Sequence, residues 1–312
     1  FNWEAELQTC SPDYYKWQQW LFIQMHKNGL VYRKKSLVNW DPIDQTVLAN
    51  EQVIDGRGWR SGAKVEQKKI EQWFIKITDY AKDLLNDLDE LDWSHSVKVM
   101  QKNWIGRSEG AEVYFTVPDS SQKISVFTTR LDTLFGVSAL MLAHDHPLSI
   151  KLSKQDPSIL EFITQCKQTA VDEATLQTTE KKGIQTQIFA KNPLSGELVP
   201  IWVANYVVSH YGTGAVMCVP AHDQRDYEFS LEHNIPCKPV VSSEATKNEK
   251  LPILNKGILV NSGEFSGLSS EEAIASMLSK LAQTKQGQST TQYRLRDWGI
   301  SRQRYWGCPI PI

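Results

Sequence analysis

Apolar positions along the chain change their period several times, and each change marks an element. Tyr14-Tyr15, Trp17, Trp20, Leu21, Met25 and Leu30 recur at helical spacing, which predicts an amphipathic helix within residues 1–32. Ser11 supplies its N-cap, Pro12 its first helical position and Asp13 a first-turn acid, and Asn28-Gly29 ends it. An aromatic stripe of this kind is expected to face a core. Residues 33–65 break into short strand-like pieces at Asp41-Pro42, Asp55-Gly56 and Ser61-Gly62, a ribbon with Trp40 and Trp59 as its plugs. Across residues 66–88 the set Ile70, Trp73, Phe74, Ile77 and Leu84-Leu85 predicts a second helical stretch.

From residue 105 onward strand and helix patterns alternate. Strands are predicted at 111–117, 123–128, 184–190 and 198–219, and helices at 158–168, 223–233 and 269–282. The stretch 205–229 is the most informative. A β-branched and aromatic run, 203–211, is broken by Gly212-Thr213-Gly214, resumes as an apolar strand at 215–219 and stops at Pro220. A polar helix start follows, and Asp223 and Asp226 share one face of its first turn. Spacing alone leaves two readings open: a variant capping box, or a pair of carboxylates at a site.

The run GTGAVMCVPAHDQRDYEF is similar to the motif of the editing domain of leucyl-tRNA synthetases of bacterial type, an insertion that hydrolyses wrongly charged tRNA. About ninety residues upstream, Thr128-Thr129-Arg130-Leu131-Asp132-Thr133 resembles the threonine-rich loop of that domain, with Leu131 where the family often has proline. The resemblance implies a role for each matching residue. Asp226 would hold the α-ammonium of the amino acid, and Thr128 and Thr129 would serve the attacking water and the developing oxyanion. Arg130 would orient Asp132 or the ribose-phosphate end. Thr133 would block the γ-branch of leucine, although a cap hydroxyl for the turn through Leu134 and Phe135 fits the local sequence as well. Tyr211 is a candidate contact for the terminal adenosine, and Asp223 supports the helix start or a water. Met217 stands where the related isoleucine and valine enzymes carry histidine, and joins the substrate-binding candidates. His222 is a candidate base, although a lone histidine beside a helix start is more often a hydrogen-bonded structural residue.

The implied fold is α/β: a mixed β-barrel editing domain with surrounding helices, inserted in a partial Rossmann-like class I synthetase catalytic domain. Expected boundaries are 1–104 for the partial catalytic domain, 105–293 for the editing domain and 294–312 for the return. Trp104-Ile105-Gly106-Arg107-Ser108 resembles the hinge strand, and Arg294 to Gly307 the re-entry segment. The ribbon at 33–65 resembles a small zinc module, but Asp41, Arg57, Gly58 and Ser61 stand where relatives carry cysteines, so no metal is expected. The family's HIGH and KMSKS-type signatures do not occur. Editing itself then needs no cofactor, while the parent enzyme's synthetic site uses ATP and Mg.

Composition narrows the picture. With 312 residues, 41% hydrophobic and 22% charged, the chain is an ordinary globular one long enough for two domains. Five scattered cysteines without a CxxC pair support no disulfide framework, and no leader or membrane span is visible, so a cytoplasmic monomer is expected. A formal net charge of -2 excludes a grip on long stretches of phosphate. It permits capture of the 3′ terminal adenosine of tRNA-Leu carrying norvaline or isoleucine. Two alternatives stay open: the editing portion of a related isoleucine or valine enzyme, and a noncatalytic module that binds the tRNA 3′ end.

Overall fold

The computed structural model describes residues 2–118, 120, 122–169, 180–207, 213–242 and 250–312. Its contacts divide into two compact units, one built from residues up to Gly106 together with Tyr293–Ile312, the other from Arg107–Gln292.

In the first unit, helix α1 (Pro12–Lys27) begins after Ser11 and ends at Asn28, where the capping residues place its limits. Its aromatic stripe does not face core. No residue of α1 is buried and Trp17 is 66% exposed; the ring contacts with the sheet are those of Phe22 and His26 against Trp73, at 5.6 and 5.8 Å. Strands β1 (Val31–Asp41), β2 (Thr46–Leu48), β3 (Val53–Ile54) and β4 (Arg57–Gly58) follow. The expected helix at 66–88 is a strand over its first half, β5 (Glu66–Ile75). β1 pairs with it antiparallel from Val31↔Ile75 to Trp40↔Glu66, and this long ladder overrides the helical spacing of Ile70, Trp73, Phe74 and Ile77. Helix appears only at α2 (Ala81–Asp87) and α3 (His95–Ile105). Trp104 and Ile105, expected in a hinge strand, close α3 instead. The two-residue strand Trp298–Gly299 pairs with β5, and Asp297 accepts hydrogen bonds from Tyr32 (2.7 Å) and Thr78 (2.7 Å), which fastens the return segment to the sheet.

The ribbon is held by Asp41 rather than by its tryptophans. Asp41 is fully buried; Oδ1 accepts the N–H groups of Ile43 (2.9 Å) and Asp44 (3.0 Å), and Oδ2 accepts the Ser61 hydroxyl. Gly58 lies so close that a Cβ there would collide with the carboxylate. Trp59 is exposed and Trp40 only half-buried, so the expected plugs are not plugs. Three positions that resemble ligand sites therefore converge as an acid, a hydroxyl and a hydrogen.

The second unit runs β6 (Arg107–Thr116), β7 (Lys123–Thr128), β8 (Ala139–Ala143), α4 (Pro147–Ser153), α5 (Pro157–Thr169), β9 (Gly183–Lys191), β10 (Leu198–Ala204), β11 (Ala215–Cys218), α6 (Gln224–His233), β12 (Val241–Ser242), β13 (Ile258–Leu259), α7 (Ser270–Gln283) and β14 (Gly287–Tyr293). Its sheet has the order β11-β8-β10-β9-β6-β14, with β7 paired to β6. The strand pattern at 198–219 holds two strands: β11 is the one expected to resume at 215, and β10 ends at Ala204, earlier than expected. No strand was expected at β8, whose Ala-Leu-Met-Leu-Ala is buried throughout because it pairs with β10 in parallel and with β11 antiparallel and is covered on both faces. Alternation divides two cores. Leu140, Leu142, Ile201 and Val203 join Val113, Phe115 and Val126 in the main one, while Ala139, Met141, Trp202 and Ala204 meet Phe229 of α6 in the other. The class is mixed α/β. β7 and β11 lie against one another without a ladder between them, so the hydrogen-bonded path is open among the described strands.

Candidate active site

Asp223 is the N-cap of α6: its backbone is extended and its carboxylate accepts the N–H groups of Arg225 (2.8 Å) and Asp226 (3.2 Å). Phe229 fixes the helix to the sheet, edge-on to Trp202 at 5.6 Å and against Tyr206 at 5.7 Å. The first turn is thereby held at the end of β11. Asp226 is 8% exposed there, and its Oδ2 accepts the Val219 N–H at 2.7 Å. Oδ1 accepts no hydrogen bond from the described residues. Burial, and then the negative charge of Asp223, push the Asp226 carboxyl up to about 7, against the Val219 N–H, Arg225 and Lys181, which favour the charged form. Among the described residues no cation forms an ion pair with this carboxylate; Arg225 and Lys181 act on it only from a distance.

The threonine loop leaves the end of β7. Thr128 Oγ1 accepts the Arg130 N–H at 3.0 Å, and residues Leu131–Gly136 coil into a 3-10 helix. Thr133 is buried and its hydroxyl donates to the Arg130 carbonyl at 2.8 Å. That hydroxyl caps no N–H group, since the cap position of the turn is Arg130. Its bond turns the hydroxyl back along the chain. Leu131, at the usual proline position, is buried in the main core. Thr129 is exposed, and its hydroxyl has no partner among the described residues.

Arg130 and Asp132 form one unit. Nε and Nη2 of Arg130 donate to the buried Asp132 carboxylate at 3.0 and 3.1 Å, and Nη1 donates to the Leu254 carbonyl at 2.7 Å. His222 uses the carbonyl next to it. Its Nδ1 is 3.0 Å from the Ile253 oxygen, and its Nε2 accepts the N–H groups of Val240 (2.9 Å) and Val241 (3.2 Å). Two N–H groups aimed at Nε2 make Nδ1 the protonated nitrogen, so both ring nitrogens are committed to backbone. His222 is a structural pin with no nitrogen left for a general base. Consecutive carbonyls of one segment thus tie the threonine loop to the second motif. The 3-10 helix adds a second tie, because a Cβ at Gly136 would come within 2.9 Å of both Lys238 O and Val240 Cγ2 and 3.3 Å of Val219 Cγ1, beside the N–H that Asp226 accepts.

The remaining candidates are scattered. Met217, opposite Leu140 in the ladder, packs half-buried against the main core. Tyr211 lies outside the described residues. Sequence reasoning missed Ser270, whose hydroxyl donates to Asp132, and Tyr206, whose buried hydroxyl has no partner among the described residues. Burial and the Asp226 charge both raise the Tyr206 phenol. A tyrosine before an apolar run gave no signal of this. Among the described residues, no group of three or more His, Cys, Asp or Glu is placed to hold a metal ion.

Residues 1–109 match the family described as tRNA synthetases class I (I, L, M and V). Residues 102–282 match the family described as Leucyl-tRNA synthetase, editing domain, and the chain belongs to that family. Among curated relatives it is 56% identical over 317 residues to a leucine–tRNA ligase of Francisella tularensis (strain WY96-3418), covering 100% of this chain and 39% of that protein. It is 55% identical over 314 residues to the same-named enzyme of Colwellia psychrerythraea, covering 100% of this chain and 36% of that one. A solved structure described as the ternary complex of Agrobacterium radiobacter K84 agnB2 LeuRS, tRNA and LeuAMS aligns with a TM-score of 0.80 at 43% identity, over 100% of this chain and 36% of that one. The chain spans well under half the length of these relatives.

Proposed function

We propose that this chain is the proofreading part of a leucine–tRNA ligase and hydrolyses the ester between a wrong amino acid and the 3′ terminal adenosine of tRNA-Leu. Water adds to the ester carbonyl, the bond to the ribose oxygen breaks, and free amino acid and a ribose hydroxyl leave. The carrying observation is Asp226: buried, anchored through one oxygen by Val219, with the other oxygen unpartnered and the carboxylate in no ion pair among the described residues. An α-ammonium meets that need, because a buried carboxylate gains most from a partner that brings charge and donors together. The hydroxyl of Thr129 and the backbone of Thr128 serve the water and the oxyanion. Asp223 holds the helix start, and Arg130, braced by Asp132, faces the ribose-phosphate end. Met217 lines the pocket, and His222 shapes it through the backbone it holds. Tyr211 contacts the adenosine.

The parent enzyme charges tRNA-Leu with leucine using ATP and Mg, and no residue of this chain is assigned to either. Editing needs no cofactor. Contact between β7 and β11 supports a barrel closed at that seam. The editing body is residues 105–293, with 1–104 and 294–312 belonging to the catalytic domain. The relative solved with tRNA supports tRNA as the partner. The chain is proposed to act as a cytoplasmic monomer; among the described residues no helix is long and apolar enough to cross a membrane.

Mutation tests the assignment. Asp226→Ala should slow deacylation of isoleucyl-tRNA-Leu by a factor of hundreds, since removing one partner of a buried charge pair costs about 3–5 kcal/mol. Deacylation at the wild-type rate would remove Asp226 from the site. A noncatalytic end-binder would protect the ester with either residue present.

A further inference from the structure

Asp132 is fully buried and does not touch the proposed ester, so something must hold it while it holds Arg130. The hydroxyl of Ser270, the first residue of α7, donates to Asp132 Oδ2 at 2.8 Å. The same hydroxyl accepts the Gly257 N–H at 3.2 Å, and the Ser270 N–H donates to the Gly257 carbonyl at 2.8 Å. Ser270 is buried, and its place at the helix start is fixed by a capping box between Ser269 and Glu272.

Gly257 ends a strap, residues 253–257, that bonds to Arg130 of the threonine loop, to Ala221 and His222 of the second motif and to Ser270 of α7. The Ile253 N–H donates to the Ala221 carbonyl at 2.8 Å, and the Ile253 carbonyl meets His222 Nδ1. The Leu254 carbonyl takes Arg130 Nη1, and Lys256 pairs with Glu271 of α7 at 2.9 Å. Arg130 is thus clamped from both sides, by Asp132 on Ser270 and by Leu254 on the strap. Both sides end at α7. We propose that Ser270, with the strap 253–257, is a positioning residue of the hydrolytic site: it sets Asp132, and through Asp132 and the strap sets Arg130 and the threonine loop against the second motif. This rests on the hydrolytic reading of the loop.

A geometric role predicts a loss in turnover rather than in binding. Replacing Ser270 by Ala leaves a buried carboxylate short of one donor, so kcat for deacylation by the whole chain should fall about tenfold with KM within about twofold. Ser270→Thr, which keeps the hydroxyl, should retain most of the rate. In an Arg130→Ala background Ser270→Ala should add no further loss, because the two act in one chain of contacts. Amide hydrogen exchange supplies a readout without substrate. In Ser270→Ala the amides of residues 128–133 should exchange faster while α6 keeps its protection. Lys256→Ala, an exposed change that loosens the strap from outside, should shift both readouts in the same direction and by less.

Unchanged kcat together with unchanged exchange at 128–133 would overturn the proposal, as would a full further loss in the Arg130→Ala background. If the wild-type chain fails to deacylate, the hydrolytic reading falls on its own, and exchange at 128–133 alone decides whether Ser270 positions the loop.

Discussion

Asp226 is the residue on which the proposed chemistry turns, and its titration gives the fold a pH dependence. Its folded value, about 7, lies above the ordinary carboxylate value of 3.8, so over that interval the folded chain keeps a proton that the unfolded chain has released. Stability from this group is complete below the ordinary value and is lost as pH rises through the folded one. Asp226→Asn should remove that loss: relative to the variant, the wild-type melting temperature should fall between about pH 4 and about pH 7 and level off above it. Parallel curves for the two proteins would contradict the burial argument. Thr133 makes a second test. Its hydroxyl donates to the Arg130 carbonyl, which leaves its methyl as the group able to obstruct a γ-branch. Thr133→Ala should hydrolyse leucyl-tRNA-Leu while remaining folded, and a folded variant that still spares leucine would end the blocking role. Asp223, Asp226 and the threonine run were legible because each motif is local. A structural, hydrogen-bonded His222 was also legible, but its partners were not, since they are backbone groups of Ile253, Val240 and Val241 that carry no side-chain signature.

At the scale of elements, helix α6 presents Asp226 through two separable devices, a cap and an aromatic dock. Asp223→Ala removes an acceptor for two N–H groups and should cost about 1 kcal/mol, read by urea denaturation, with deacylation reduced far less than in Asp226→Ala. Equal loss of activity in two folded variants would mean that Asp223 also meets the substrate. The ribbon of the first unit is closed by a different device. The Asp41 carboxylate is already occupied by two N–H groups and the Ser61 hydroxyl, and Gly58 leaves no side chain to bind with. The purified chain should accordingly carry no stoichiometric zinc; elemental analysis that finds one chelator-removable zinc per chain, lost together with folding, would refute this. Capped helices such as α1, α6 and α7 could be read from sequence, because capping residues and apolar spacing agree there. β5 and β8 could not. The first is decided by a long ladder with β1, and the second is apolar on both faces, which erases the alternation that marks a strand.

At the scale of the molecule, two motifs about ninety residues apart in sequence are tied together by a third segment that resembles neither. Adjacent carboxylate and threonine chemistry was expected from the motifs, whereas the strap at 253–257 and its anchor on α7 depend on contacts that only folding creates. A site so assembled can act as a sieve. One synthetic pocket separates side chains that differ by about one methylene by only about 1–3 kcal/mol, so a hydrolytic site that excludes leucine adds selectivity that binding alone lacks. The most direct test compares two substrates on one tRNA: single-turnover hydrolysis of norvalyl-tRNA-Leu and leucyl-tRNA-Leu by the purified 312-residue chain. Norvalyl ester should be cleaved at least about tenfold faster than leucyl ester. Equal rates for the two, or protection of both, would contradict a proofreading hydrolase.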